Sequence, residues 1–267
     1  MTRGAPPSPH ASGPPGTRAA ALTHPGLVRG NNEDAYAIVP EQDLYIVSDG
    51  MGGHAGGETA SSIVVEALPR LLRERVGPGP VPDADLHEVL RTTLLELSRT
   101  VRQEAARRVG LAGMGATVVL ALVRDDRVTV AHMGDSRAYR LRAGELVQLT
   151  EDHSVVGILL RRGEIRPEDV DGHPARGRIT RFIGMGAQVD PDVATFELVP
   201  GDRLLLCSDG LAGVVPDDEI AAVLSEHDEP ADTCRRLVDA ALAAGGPDNV
   251  TVLIAERLDR PTTEGDS

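Results

Sequence analysis

The chain reads as an α+β protein in which two packed antiparallel β-sheets, a β-sandwich, are flanked by antiparallel α-helix pairs. Two features carry this reading. Short apolar strands recur with tight turns between them, at Asp125-Asp126 and at Ala143-Gly144. Strong helical patterns, one pair early and a shorter pair late, stand outside the strand runs.

The elements follow in order. Residues 1–17 are rich in Pro, Gly and Ser without apolar periodicity, and are expected to form a disordered arm. "DAYAIVP" (Asp34 to Pro40) and "DLYIVSDG" (Asp43 to Gly50) predict two strands joined by a short turn. A helix is expected from near Glu58, with a kink at Pro69. Leu86, Leu90, Leu94, Leu97, Val101 and Ala105 then keep one apolar stripe on a 3.6-residue period and pair with that helix. "ATVVLALVR", "RVTVAHMGD", "RAYRLR" and "LVQLT" predict consecutive strands. An irregular polar stretch between Arg161 and Arg176 interrupts them, and "TFELVPGDRLLLCSDG" resumes the pattern. Helices near Asp217–Ser225 and Ala231–Ala244 precede a closing strand, "NVTVLIAERL". The domain is expected to span 18–258, with a disordered tail over 259–267.

Composition removes several functions. With 267 residues the chain can bury a large core. A net charge of −14 and a pI near 5.0 argue against nucleic acid, which needs a basic face. No apolar run reaches the length of a membrane span and no signal-peptide pattern opens the chain, so it is expected to be soluble and cytoplasmic. Cys207 and Cys234 are read as buried thiols. Every basic side chain among the 27 is arginine, which excludes a P-loop lysine and a Schiff base.

Carboxylates at strand ends carry the chemistry. "LYIVSDGMGG" and "LLLCSDGLAG" are near-copies, each an apolar strand ending in Ser-Asp-Gly, at Asp49 and Asp209. "AHMGDSR" places Asp135 after a strand and "GGPDNVTV" places Asp248 before one. A single Asp-Gly is ordinarily a turn; repetition at strand ends predicts convergence on one rim. Two carboxylates about 4 Å apart repel by roughly 4 kcal/mol at an effective dielectric of about 20, so such a cluster needs cations, and hard oxygen ligands favour Mg²⁺ or Mn²⁺. Gly50 leaves room for a backbone carbonyl beside them. Upstream, "RGNNED" offers Arg29 for a phosphate and Glu33 and Asp34 to orient metal-bound water.

"RGNNED", "SDGMGGHAGGETAS", "GMGATVV", "GDSRAYR", "QLTEDHS", "ITRFIG", "LLLCSDGL" and "GGPDNVTV" occur in one order. That order resembles the metal-dependent protein serine/threonine phosphatases, the protein phosphatase 2C family, in its bacterial branch. The likeness spans roughly Arg18 to Arg257. It implies hydrolysis of phosphoserine and phosphothreonine by water activated at a binuclear Mn²⁺ or Mg²⁺ centre. By motif, Asp49 bridges two ions, the Gly50 carbonyl binds one, and Asp209 and Asp248 complete the shell. Glu33 and Asp34 act through metal-bound water, and Arg29 grips the phosphate. Asp135 with Asp209 matches a third, weaker ion, and residues 157–180 match a mobile flap beside the site. Asp49, Asp209 and Arg29 are thus the expected catalytic residues. The expected partners are phosphorylated proteins, including Ser/Thr kinases and their substrates, met by a monomer without nucleic acid or membrane.

Met51 stands where many eukaryotic members carry histidine, which leaves the leaving-group acid open. His54 is read as holding the loop, His132 as a satisfied core residue and His153 as part of loop structure. The alternatives are a non-catalytic phosphoprotein-binding module on the same fold and a hydrolase of small phosphate esters.

Overall fold

The computed structural model describes residues 10–12, 16–53, 55–76, 81–186, 189–226 and 228–259. The first sheet contains β1 (His10–Ser12), β2 (Thr17–His24), β8 (Arg137–Arg142), β9 (Glu145–Gln148), β11 (Arg203–Cys207) and β12 (Val250–Arg257). Their order is β1-β2-β12-β11-β8-β9. The second contains β3 (Asp34–Val39), β4 (Leu44–Met51), β6 (Val118–Arg124), β7 (Arg127–Met133) and β10 (Asp192–Glu197), ordered β10-β7-β6-β4-β3, with β5 (Gly115–Ala116) pairing β4. Every pairing is antiparallel.

Both faces of the central strands are buried, and the period of two divides their side chains between two cores. Tyr45 and Val47 of β4 point into the sandwich with Val119, Ala121, Leu204, Leu206 and Leu253. Leu44 and Ile46 point the other way, onto α1 (Ala55–Val76) and α2 (Asp83–Arg107). On the opposite sheet Leu205, Cys207, Val252 and Ile254 face α4 (Asp209–Ala212), α5 (Asp217–Ser225) and α6 (Pro230–Ala243). This is why the strands read as nearly continuous apolar runs. The α2 stripe from Leu86 to Val101 is buried, with Ala105 packed at its edge, against Ala60, Val64, Leu68 and Leu72 of α1.

The turns are as the sequence implies. Arg124 pairs with Arg127 across Asp125-Asp126, and Arg142 with Glu145 across Ala143-Gly144. Ala143 and Gly144 both have positive φ (50° and 84°), the twist a two-residue hairpin requires. Three features differ from expectation. Helix α1 begins at Ala55 and continues through Pro69 to Val76. Thr17–His24 forms β2, paired along its whole length with β12, although its alanines carry little strand preference. Residues 10–12, within the arm expected to lack structure, pair with Ala19–Ala21, since backbone pairing needs no apolar pattern. Residues 157–180, matched above to a flap, begin within α3 (Val155–Arg161).

Candidate active site

The antiparallel layout brings distant strand ends to one rim. Asp34 begins β3 and Asp49 lies near the end of β4, and the two are direct partners across the pair. Asp209 follows β11 and opens α4; Asp248 stands just before β12; Asp135 follows β7. Asp49 feels the charges of Asp34, Asp209, Asp135 and Asp248 together, so the rim gathers all five.

Hydroxyls and one amide fix this rim. Ser208 Oγ and Thr251 Oγ1 both donate to Asp34 Oδ2, at 2.8 and 2.6 Å. Thr117 Oγ1 accepts from the Asp49 amide at 2.9 Å and contacts Ser136 Oγ at 2.7 Å. The Asn249 side chain ties three segments together. Its Oδ1 accepts from the Glu33 amide at 2.8 Å, and its Nδ2 donates to the carbonyls of Pro25 and Asn31 at 2.9 and 2.8 Å. Ser61 of α1 donates to the Glu33 carbonyl at 2.6 Å. Gly50 is confined between two backbones: a Cβ there would stand 2.1 Å from the Gly57 carbonyl oxygen and 2.6 Å from that of Glu33.

The electrostatics are those of an uncompensated acid cluster. Burial and then neighbouring carboxylates push Asp49 well above the usual range. Burial raises Asp34 to about 7 against its two hydroxyl donors, and Asp209 and Asp248 add to the rise. Asp135 is likewise raised to about 7, by burial and then by Asp209. Asp209 is raised chiefly by burial and by Asp248. Asp34 Oδ1, Asp135 Oδ1 and Asp209 Oδ1 are buried without a hydrogen-bond partner.

Buried, orphaned carboxylate oxygens suit hard divalent cations. The aspartate oxygens do not close into a tight cage. Among the described residues, only His132, His153 and Asp192 bring three ligand atoms within 4.8 Å of one another. An open rim fits cations that keep much of their water, as Mg²⁺ does.

The histidine trio itself is already satisfied. His132 and His153 stack with centroids 4.4 Å apart and planes 22° apart. His132 Nε2 meets the Glu151 carbonyl at 2.9 Å, His153 Nε2 meets Asp192 at 3.0 Å, and Asp192 also takes Arg181 at 2.6 Å. Both rings are buried, as expected of a core residue and a loop-holding one.

Arg29 reaches the same rim, its Nη2 2.7 Å from Asp248 Oδ2 with the side chain half exposed. Glu33 lies alongside, accepting from Asn31 Nδ2 at 3.2 Å. A groove of about 300 Å³ opens beside Asp135, Asp209 and Asp248, lined also by Val170, Asp171 and Arg176 of the segment matched to a flap. That segment is closed at its base, where Ser154 pairs with Ile179 and the Thr180 amide donates to the His153 carbonyl at 2.7 Å. Four of its five arginines are paired locally, Arg161 with Glu151, Arg162 with Glu164, Arg166 with Asp169 and Arg176 with Asp171, and Arg178 is exposed. It is therefore not a bare basic surface.

Sequence reasoning anticipated every carboxylate of this rim and missed its polar supports, Thr117, Ser136, Asn249 and Thr251. Each lies inside a quoted motif, Thr117 in "GMGATVV", Ser136 in "GDSRAYR" and Asn249 and Thr251 in "GGPDNVTV", but nothing local marks it as a support. His54 lies outside the described residues.

Known proteins are similar to the chain as a whole. A model of the family described as protein phosphatase 2C matches residues 29–245. The chain is 40% identical over 242 residues to the serine/threonine protein phosphatase PstP of Mycobacterium tuberculosis, covering 91% of this chain and 45% of that protein, so it spans about half the relative's length. It is 37% identical over 238 residues to the serine/threonine phosphatase stp of Listeria monocytogenes, covering 88% of this chain and 94% of that one. Among solved structures, the catalytic domain of PstP in complex with two manganese ions superposes with a TM-score of 0.78 at 40% identity, covering 91% and 99% of the two chains. With its acid rim and with a family match running from Arg29 almost to the last strand, the chain belongs to the protein phosphatase 2C family.

Proposed function

We propose that this chain is a metal-dependent protein phosphatase that removes phosphate from phosphoserine and phosphothreonine, with residues 18–258 as its catalytic domain. The observation that carries the reading is the convergence of Asp49, Asp209, Asp248, Asp34 and Asp135, with buried oxygens left unpaired. Asp49, Asp209 and Asp248, with the Gly50 carbonyl, would hold two Mn²⁺ or Mg²⁺ ions, and Asp135 with Asp209 a third. The two manganese ions in the PstP catalytic domain support this assignment. When bound, such ions supply Lewis acidity that activates water at neutral pH.

The chain's own residues do the rest. Arg29 is held permanently charged, its pKa raised by the hydrogen bond to Asp248, and offers planar donors to the phosphoryl oxygens. Those donors oppose charge that grows on phosphorus-bound oxygen in the transition state. Glu33 lies alongside the rim, and Asp34 within it, anchored by Ser208 and Thr251, leaves Oδ1 to orient water. Asn249 and Ser61 keep the Glu33 backbone in register with Gly50.

Phosphorylated proteins, Ser/Thr kinases among them, are the proposed partners of a monomer working in the cytoplasm. The unpaired, buried Cys207 and Cys234 suit a reducing compartment. No helix among the described residues is long and apolar enough to cross a membrane.

The test is phosphate release from a phosphothreonine peptide. Release is expected to require Mn²⁺ or Mg²⁺, to stop with EDTA and to be abolished by Asp209→Ala. Turnover unchanged by EDTA contradicts the mechanism, and no turnover at saturating Mn²⁺ favours a phosphoprotein-binding module.

A further inference from the structure

Among the described residues, Leu27, Val28 and Val109 are the large apolar side chains left exposed. Two of the three are consecutive and immediately precede Arg29. Leu27 is 59% exposed and Val28 71%. Scattered exposed apolar residues need no explanation; an adjacent pair abutting the phosphate-binding arginine does.

The pair is held in place by its loop. The Leu27 amide donates to the Gly246 carbonyl at 2.8 Å, and the Pro25 carbonyl accepts from Asn249 Nδ2 at 2.9 Å. The Gly26 amide donates to His24 Nδ1 at 3.0 Å. Gly26 itself is left-handed (φ 78°), and a Cβ there would stand 2.1 Å from the Asp248 carbonyl oxygen. The loop is thus built onto the strand-end segment that carries Asp248. It presents Leu27 and Val28 to solvent at a fixed distance from the rim.

We propose that Leu27 and Val28 form the contact surface for residues flanking the phosphorylated side chain. The preferred substrates are then phosphopeptides with a Leu, Val, Ile or Met side chain within two positions of the phosphoresidue. This inference rests on the phosphatase reading. Reach supports it: consecutive Cα atoms are about 3.8 Å apart, so Leu27 and Arg29 are separated by no more than about 7.6 Å. A peptide whose phosphate meets Arg29 spans the same distance with its second neighbour. Charge supports it too. The chain carries a net charge of −14, and four of the five arginines of residues 157–180 are already paired with acids, so acidic flanks meet a surface of mostly their own sign. Apolar flanks bury surface that water now covers.

The experiment compares two phosphothreonine peptides, identical except that the neighbours are Leu and Val in one and Gly and Ser in the other. Initial rates are measured with saturating Mn²⁺ on the full chain, and Kd by fluorescence anisotropy. Partial burial of two side chains is expected to lower KM for the apolar peptide about tenfold, with kcat nearly unchanged. In Leu27→Ser with Val28→Ser the ratio between peptides collapses to about one, whereas Leu27→Met with Val28→Ile keeps it, by the same burial argument. Equal KM values in the wild type, an unchanged ratio in the serine variant, or a kcat loss shared by both peptides overturns the inference. Should neither peptide be turned over, the phosphatase reading has failed, and the Kd ratio decides the inference on the same terms.

Discussion

Asp34 and Asp49 face each other directly across β3 and β4, one buried and one part-buried carboxylate in register on neighbouring strands. Such a pair opposes folding whenever both are ionised without a cation between them.

This relationship sets how metal and pH act together. Asp34, Asp49, Asp135 and Asp209 all have folded pKa values above the ordinary range, Asp34 and Asp135 at about 7. Between the unfolded value near 4 and about 7 the folded protein binds more protons than the unfolded chain. The contribution of these groups is fully present at the acid end and is lost as pH rises through about 7. A divalent cation must displace those protons. The rise in melting temperature from EDTA to saturating Mn²⁺ is therefore expected to be larger near pH 7.5 than near pH 5.5, and a larger gain at the lower pH refutes it.

Arg29 and Asp248 share a 2.7 Å ion pair at the edge of the same rim. Arg29→Ala removes charge-assisted donors to the phosphate, each about 1.5–3 kcal/mol. A fall in kcat/KM of roughly 10- to 100-fold on a phosphopeptide is expected. Metal affinity, measured by titration calorimetry, should hold or tighten, because Asp248 loses a competing partner. An equal loss of metal binding would make Arg29 a structural residue.

Legibility in the sequence divides along the range of the interactions. Asp49 and Asp209 stood out because an apolar strand stopping at Ser-Asp-Gly is a local pattern. The α2 stripe did so because a helix repeats within a few residues. The hydroxyls that hold Asp34 are single polar residues whose meaning lies 174 and 217 positions away, at Ser208 and Thr251. No window along the chain contains that information. Strand β2 failed for a related reason: its alanines prefer helix, and pairing with β12 overrides them. Leu27 and Val28 read as ordinary apolar residues until the fold left them uncovered.

Gly210 follows Asp209 so closely packed against the next segment that a Cβ would lie 1.8 Å from the Asn249 carbonyl oxygen. That neighbour is backbone, one residue beyond Asp248, and cannot swing aside. Gly210→Ala is expected to cost about 3 kcal/mol or more, or to displace Asp248 from Asp209. Chemical denaturation reports the first effect and Mn²⁺ affinity the second. A variant with wild-type stability and metal binding would mean that these segments separate easily.

The stacked histidines give a pH response opposite in sign to that of the aspartates. Burial, and then His132, lowers His153 to about 4, against the opposing hydrogen bond to Asp192. A folded value below the unfolded one of about 6.5 means the unfolded chain binds the proton first as pH falls. The stability from burying His153 neutral is complete above about 6.5 and disappears as pH falls through about 4, roughly 3 kcal/mol in all. His153→Asn removes this titration while leaving Asp192 its Arg181 partner. The free-energy advantage of wild type over the variant, from denaturant melts in EDTA, should therefore shrink by about that amount between pH 7 and pH 4. An advantage that stays constant over this interval would show that His153 takes up its proton without loosening the fold.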